Sequence, residues 1–292
     1  MLQISQLSFG YHSQSAIIQN INTHLPSGCI AGLMGANGVG KSTLLKLIAG
    51  LLKPISGAIR ANRHDSAKRS VGLLATLYFV PEKTWLPDFR ADSFVKLYAP
   101  LYPRFDHSLF AQCRERFELP YPQNLQDYSY GQQKKFLIAF GIASRPRLFL
   151  LDEPTNGLDI PAKEQFRQLL LETADDQQSA IISTHQAHDL QGVIDTAMLM
   201  DRMQLLTVSL EKLQRSFSVE KFAVKPDNAL YAAEHFNQWL CLVPFLASSQ
   251  RELDLELLFK TFHLQKRDFL QHLNSEECRL TAQTSAGGND AS

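Results

Sequence analysis

The sequence predicts an α/β fold with a mainly parallel sheet at its core, and three observations predict it. Short apolar runs, "CIAGLM" from Cys29, "LFLL" from Leu148 and "AIIST" from Ala180, lack polar alternation. That is the pattern of strands covered on both faces. Helix-period stretches lie between them: Leu44, Leu47, Ile48 and Leu51, then Phe136, Ala139, Phe140 and Ala143. A glycine-rich loop, "GANGVGKST" from Gly35 to Thr43, joins the first of these strands to the first helix.

The other elements follow in chain order. "LQISQLSFGY" and "SAIIQNINTHL" alternate as strands, and Pro26-Ser27-Gly28 turns the chain into "CIAGLM". Lys53-Pro54 stops the first helix, and a strand is expected near Ala58–Arg60. "TLYFV" is a further strand ended by Pro81. From Leu86 to Arg147 the character is helical. Asp106 is placed to cap a helix carrying Leu109, Cys113 and Phe117 on one face. Another helix starts near Ile160, with Asp159 as N-cap and Pro161 in its first turn. "TAMLM" adds a strand. Beyond about Leu206 two apolar groups remain: Phe236, Trp239 and Leu240, then Leu257, Leu258, Phe259 and Phe262. They argue for a segment that folds or docks. The final "TAQTSAGGNDAS" reads as a loose tail.

Composition excludes several function classes. The chain of 292 residues carries 29 basic and 29 acidic side chains, so no nucleic-acid footprint or polybasic anchor is expected. Cys29, Cys113, Cys241 and Cys278 are scattered without a C-x-x-C pair, which predicts neither a zinc site nor a disulfide framework. A reducing cytoplasmic setting fits. The opening stretch lacks a basic start and an apolar core run, so no signal peptide is expected. No run approaches the length of a membrane-spanning helix.

The glycine-rich loop fits G-x-x-x-x-G-K-S/T in full. Glycines let the backbone wrap phosphates and aim N–H groups inward, and the following helix adds its positive end. Gly35, Ala36, Asn37, Gly38, Val39, Gly40 and Thr43 form this cradle. Lys41 reaches the β/γ-phosphates, and Ser42 supplies an oxygen to Mg²⁺. The alternative is a chance glycine turn, but the strand before and the helix after argue against it. In "LFLLDEP", an apolar run leads to Asp152 and Glu153, 111 and 112 residues after Lys41. An aspartate at the end of a buried strand suits Mg²⁺ coordination. The next glutamate suits polarisation of a water for attack on the γ-phosphate.

With their neighbours these residues resemble the ATP-binding cassette (ABC) family. "LDEPTNGLD" at 151–159 is similar to its extended Walker B and D-loop, "STHQ" at 183–186 to its switch strand, and "YSYGQ" at 128–132 to its signature loop. The resemblance covers about residues 1–206. It implies a P-loop NTPase cassette with an N-terminal antiparallel β portion and a helical subdomain at about 86–147. Outside the resemblance follow a C-terminal extension at 207–280, open between a dimerisation or regulatory element and a simple helical brace, and a tail at 281–292. The resemblance also implies that His185 contacts the γ-phosphate. Asp159, also a helix cap, would couple two sites of a dimer. Ser129, Gly131 and Gln132 would face the nucleotide of the opposite subunit. Tyr11, 24 residues before Gly35, would stack on adenine; core packing is the other reading, with Phe9 as competitor.

Two departures from the family pattern stand out. Glu82 occupies the position of a glutamine that reaches Mg²⁺ through water; the alternative is a surface glutamate. Tyr128 and Tyr130 replace the leucine and first glycine of Leu-Ser-Gly-Gly-Gln. Tyr130 is therefore expected to point away from the nucleotide.

The function implied is an ATP-hydrolysing subunit using ATP and Mg²⁺, which powers transport through separate permease subunits by nucleotide-driven dimerisation. The partner would be a second copy or a related chain. The place would be the cytoplasmic face of the membrane. The compact helical region with "LYPRFD" and the length of the tail resemble bacterial export systems. Within "KTWLPDFRADSF", Trp85, Leu86 and Phe89 are open between permease contact and subdomain packing. The rival functions are a soluble ABC ATPase acting on ribosomes or DNA, and a sensor that binds ATP without turnover. Single-cassette length and neutral charge count against the first. The presence of Glu153 and His185 counts against the second.

Overall fold

The computed structural model of the chain describes residues 1–11, 16–201, 204–236, 238–244 and 253–274. It divides into two compact units, Met1–Thr207 and Val208–Ser292. The tail at 281–292 and Cys278 lie outside the described residues.

The first unit begins with an antiparallel sheet. Strands β1 (Leu2–Phe9) and β2 (Ile18–Leu25) pair directly. Strand β4 (Ser56–Ala61) joins the other side of β1, and β5 (His64–Asp65) completes the order β2-β1-β4-β5. Leu2, Ile4, Leu7, Ile18, Ile21 and Leu25 face the core, but the expected two-residue alternation is broken where the register shifts between Ile4 and Leu7 and between Leu7 and Phe9.

The second sheet holds the apolar runs. Strands β3 (Ile30–Gly35), β6 (Leu77–Val80), β7 (Leu148–Asp152), β8 (Ser179–Thr184), β9 (Thr196–Met200) and β10 (Leu205–Ser209) lie in the order β10-β9-β3-β8-β7-β6. The ladders β9/β3, β3/β8, β8/β7 and β7/β6 are parallel. Every residue of β7, β8 and β9 is buried, which is why these strands read as unbroken apolar runs. The register sets Asp152 beside Ser183 at the C-terminal ends of β7 and β8. That is the edge where ligands of open α/β sheets bind.

Helix α1 (Lys41–Ile48) buries Leu44, Leu47 and Ile48, as its spacing predicts. It stops before Leu51, which is exposed and falls outside the stripe assigned to it. Ala49 and Gly50 end the helix through hydrogen bonds to the carbonyls of Leu45 and Leu47. A single turn, α2 (Val71–Leu74), precedes β6.

The stretch from 86 to 147 holds α3 (Ala91–Tyr98), α4 (His107–Arg116) and α5 (Tyr130–Ala143). Asp106 caps α4 by accepting from Leu109 N. Phe140 of α5 sits among Phe94, Tyr102, Phe105 and Phe110, with ring centroids 4.9–6.2 Å away. It also meets Tyr78 of β6 at 5.7 Å, tying the helical region to the parallel sheet. Leu86 is buried, which settles its reading as packing, whereas Trp85 is 78% and Phe89 37% exposed. Helix α6 (Ile160–Thr173) starts on Asp159, whose carboxylate accepts from Ala162 N, with Pro161 in the first turn.

In the second unit, α7 (Leu210–Ser216) leads into an antiparallel sheet of β11 (Phe217–Phe222), β12 (Tyr231–His235) and β13 (Gln238–Pro244), ordered β11-β13-β12. Helix α8 (Leu255–Leu264) buries Leu257, Leu258 and Phe262. Phe217 stacks on Phe269 at 4.7 Å, and Phe262 meets Phe269 edge-on at 5.8 Å. The second apolar group thus forms a core. In the first group, Phe236 is 91% exposed and Trp239 and Leu240 are half-buried.

Candidate functional site

The loop between β3 and α1 is shaped by contacts that glycine alone permits. Gly40, at φ +112°, is the N-cap of α1 and brings no side-chain cap. The first-turn N–H groups of α1 therefore receive no capping side chain and point at the loop's concavity. A β-carbon on Gly35 would come within 2.7 Å of Val39, whose buried side chain packs under the loop. Val39 N donates to Ala36 O at 3.2 Å, closing the turn. Lys41 is almost fully buried and donates to Gly35 O at 2.7 Å and Ala36 O at 3.4 Å. Burial pushes its ammonium below the ordinary lysine range, opposed by the carboxylates of Glu153, Asp152 and Glu82.

The end of β7 delivers two acids, and the end of β8 their partners. Asp152 Oδ1 accepts from Ser42 Oγ at 3.0 Å and from Ser183 Oγ at 2.6 Å. Glu153 follows at φ +45°, a left-handed conformation uncommon for glutamate, and its N–H donates to Ser183 Oγ at 3.1 Å. That backbone turn aims Glu153 at β8, where its Oε2 lies 2.9 Å from His185 Nδ1. His185 Nε2 in turn lies 3.4 Å from Gln186 Nε2.

One cavity of about 500 Å³ is lined by Tyr11, Ile17, Asn37, Gly38, Gly40, Lys41, Ser42, Thr43, Glu82, Glu153, Asn156 and His185; Asp152 is not part of the lining and meets it through its hydrogen bond to Ser42. Residues from five separate stretches of sequence meet here. Tyr11 stands on the cavity wall, 52% exposed, with its hydroxyl 3.2 Å from Thr43 Oγ1 and its ring edge-on to Phe9 at 5.1 Å. Phe9 is the buried one of the two, so the core position belongs to Phe9 and the wall position to Tyr11.

Ser129, Gly131, Gln132 and Asp159 lie outside this lining. Ser129 is the N-cap of α5 in a capping box: its Oγ accepts from Gln132 N at 3.3 Å, and Gln132 Oε1 accepts from Ser129 N at 2.9 Å. Both side chains thereby fix an exposed helix N-terminus. Tyr128 is buried against Phe136, and its hydroxyl donates to Pro120 O, so it fills an apolar position. Gly131 is needed for close approach: a β-carbon there would come within 2.9 Å of Gly157 O.

Sequence reasoning missed Ser183 and Lys134 as site residues. Ser183 holds Asp152 from the neighbouring strand, and only the strand register reveals the pairing. Lys134 is fully buried and donates to Pro81 O at 3.0 Å and Glu82 O at 2.8 Å. A usable signal existed, because Lys134 lies on the same helical stripe as Leu137, Ile138 and Gly141. Ile17 lines the cavity without any motif role, and Asn156, inside "LDEPTNGLD", lines it without having been singled out.

A phosphate-cradling loop, a strand-end aspartate and a glutamate held by a histidine define the class: a nucleoside-triphosphate-hydrolysing site. The comparisons agree. The family model described as "ABC transporter" matches residues 18–156. The chain is 30% identical over 220 residues, 71% of itself and 80% of the relative, to the cobalt import ATP-binding protein CbiO of Salmonella typhimurium. It is 26% identical over 234 residues, 78% of each chain, to the ABC transporter ATP-binding protein YtrB of Bacillus subtilis. A solved ATP-binding subunit of an ABC transporter superposes with a TM-score of 0.67 at 23% identity, covering 74% of this chain and 92% of that one. A dimeric ATP-binding cassette bound to ADP and Pi gives 0.63 at 21%, covering 72% and 98%. The chain belongs to the ABC transporter ATP-binding proteins and is an ATPase of that family.

Proposed function

We propose that this chain powers transport through a separate permease, by ATP-driven closure and hydrolysis-driven opening of a dimer. The observation that carries the reading is the 2.9 Å contact between Glu153 and His185 on the wall of the phosphate-loop cavity. Glu153 acts as general base toward the attacking water, and His185 orients it and contacts the γ-phosphate. Lys41 and the uncapped N–H groups of α1 neutralise the β/γ-phosphates. Tyr11 stacks on adenine.

Ser42 and Asp152 present a hydroxyl and a carboxylate 3.0 Å apart, hard oxygen donors of the kind Mg²⁺ takes together with phosphate oxygens and water. Among the described residues no cluster of three or more histidine, cysteine or acidic side chains could hold a metal alone, which suits an ion that arrives with its nucleotide. Glu82 stands at the cavity edge, positioned to reach that ion through water. Held by Ser42 and Asp152, Mg²⁺ would supply positive charge against the charge that develops on the phosphates.

Ser129, Gly131 and Gln132 present the start of α5 to the opposite subunit's nucleotide, and Asp159 couples the two sites. Trp85 and Phe89 supply apolar contact for the permease. No helix among the described residues is long and apolar enough to cross a membrane, consistent with a subunit on the membrane's cytoplasmic face. Export is the direction suggested by the compact helical region. Import is the second reading, favoured by relatives named for cobalt and nickel import. A transport assay in oriented vesicles, with the chain and its permease, decides direction by the side on which substrate accumulates. The ATPase reading is tested by Glu153→Gln, which should reduce turnover by about 10²-fold or more while ATP still binds. Equal rates would remove Glu153 from the catalytic role.

A further inference from the structure

Tyr130 stands where the resemblance calls for glycine, and its side chain has a defined seat. Its hydroxyl donates to Glu82 O at 2.7 Å. The same oxygen accepts from Lys134 Nζ at 2.8 Å, so two side chains of α5 use both lone pairs of one carbonyl. The aromatic ring lies over Gly157, in the turn that follows β7. A β-carbon on Gly157 would come within 2.6 Å of the ring. Gly157 therefore accepts two neighbours from α5: the ring of Tyr130 on its α-carbon and the backbone of Gly131 against its carbonyl. The ring, 46% exposed, is held at one edge by packing and at its tip by a hydrogen bond.

We propose that Tyr130 is a positioning residue that clamps the Glu82 loop and the Gly157 turn to the first turn of α5. The Ser129 surface and the Glu82 edge of the cavity then move as one body. This rests on the reading given above, in which Ser129 and Glu82 both face nucleotide. Lys134 already ties the Glu82 carbonyl to the second turn of α5. The tyrosine adds a tie from the first turn, next to Ser129, that spans both the Glu82 loop and the Gly157 turn, and a glycine could not supply it.

The test is Tyr130→Phe, which keeps the ring and removes only the hydroxyl. The chain has two tryptophans, so Trp239→Phe leaves Trp85, three residues after Glu82, as sole reporter of that loop. In this background Tyr130→Phe should lower the nucleotide-free fluorescence anisotropy of Trp85 and shrink its response to Mg·ATP. It should lower kcat about fivefold, the worth of one neutral hydrogen bond, with KM for ATP unchanged. Tyr130→Ala should do both more strongly. Tyr130→Phe equal to the parent in anisotropy and kcat would overturn the clamp, as would a lower melting temperature with no change at Trp85. The nucleotide-free anisotropy reports on the clamp even if the parent chain failed to hydrolyse ATP, so failure of the functional reading shows separately, as absent turnover in the parent.

Discussion

At the residue scale, the site is a balance of buried charge. Lys41 and Lys134 face Asp152, Glu153 and Glu82, and for each lysine desolvation outweighs the carboxylates' support. Burial pulls Lys134 down to about 8. Between about pH 8 and the ordinary lysine value of about 10.4, the unfolded chain binds this proton and the folded chain does not. Folding stability assignable to Lys134 therefore rises with pH across that window. Neutral lysine still has two N–H donors, enough for Pro81 O and Glu82 O. Chemical denaturation should show the advantage of the parent over Lys134→Met growing from neutral pH toward about pH 10. An advantage that stays flat or shrinks would contradict the burial argument. The residues proposed to touch phosphate were legible in sequence because chemistry fixes their type and spacing. Ser183 was not, because its partner lies on a neighbouring strand; for Lys134 the helical stripe marked burial, but not the two backbone carbonyls it binds.

Among the elements, those that carry the site were read from apolar patterning. Strands β7 and β8 are wholly buried runs, and their parallel register puts Asp152 beside Ser183. The cap residues Asp106 and Asp159 were legible because a short acid before an apolar period has few other uses. Helix ends were less so: the stripe through Leu47 and Ile48 continues numerically to Leu51, but the chain has already turned at Gly50. The fate of the apolar side chains at the entrance to the helical region was also hidden, since Trp85 and Leu86 are adjacent and only Leu86 is buried. Helix α5 depends on Phe140, which is buried among rings from α3, α4 and β6. Phe140→Ala should cost about 3–5 kcal/mol in urea or thermal unfolding. A loss under about 1 kcal/mol would mean the cluster collapses around the cavity and does not hold the helical region to the sheet.

For the whole molecule, the cavity gathers much of the phosphate loop with Glu153 and His185, while Ser129 and Asp159 sit outside its lining at the exposed starts of α5 and α6. In the proposed dimer those two helix starts would meet the nucleotide of the second subunit. The central claim is that nucleotide closes a dimer which Glu153 then opens by hydrolysis. It is tested most directly by sedimentation of the parent and Glu153→Gln with Mg·ATP, alongside their turnover. The parent should hydrolyse ATP and sediment as monomer or a mixture, and Glu153→Gln should lose turnover and accumulate as an ATP-dependent dimer. Equal turnover, or a Glu153→Gln variant that binds ATP and stays monomeric, would contradict it.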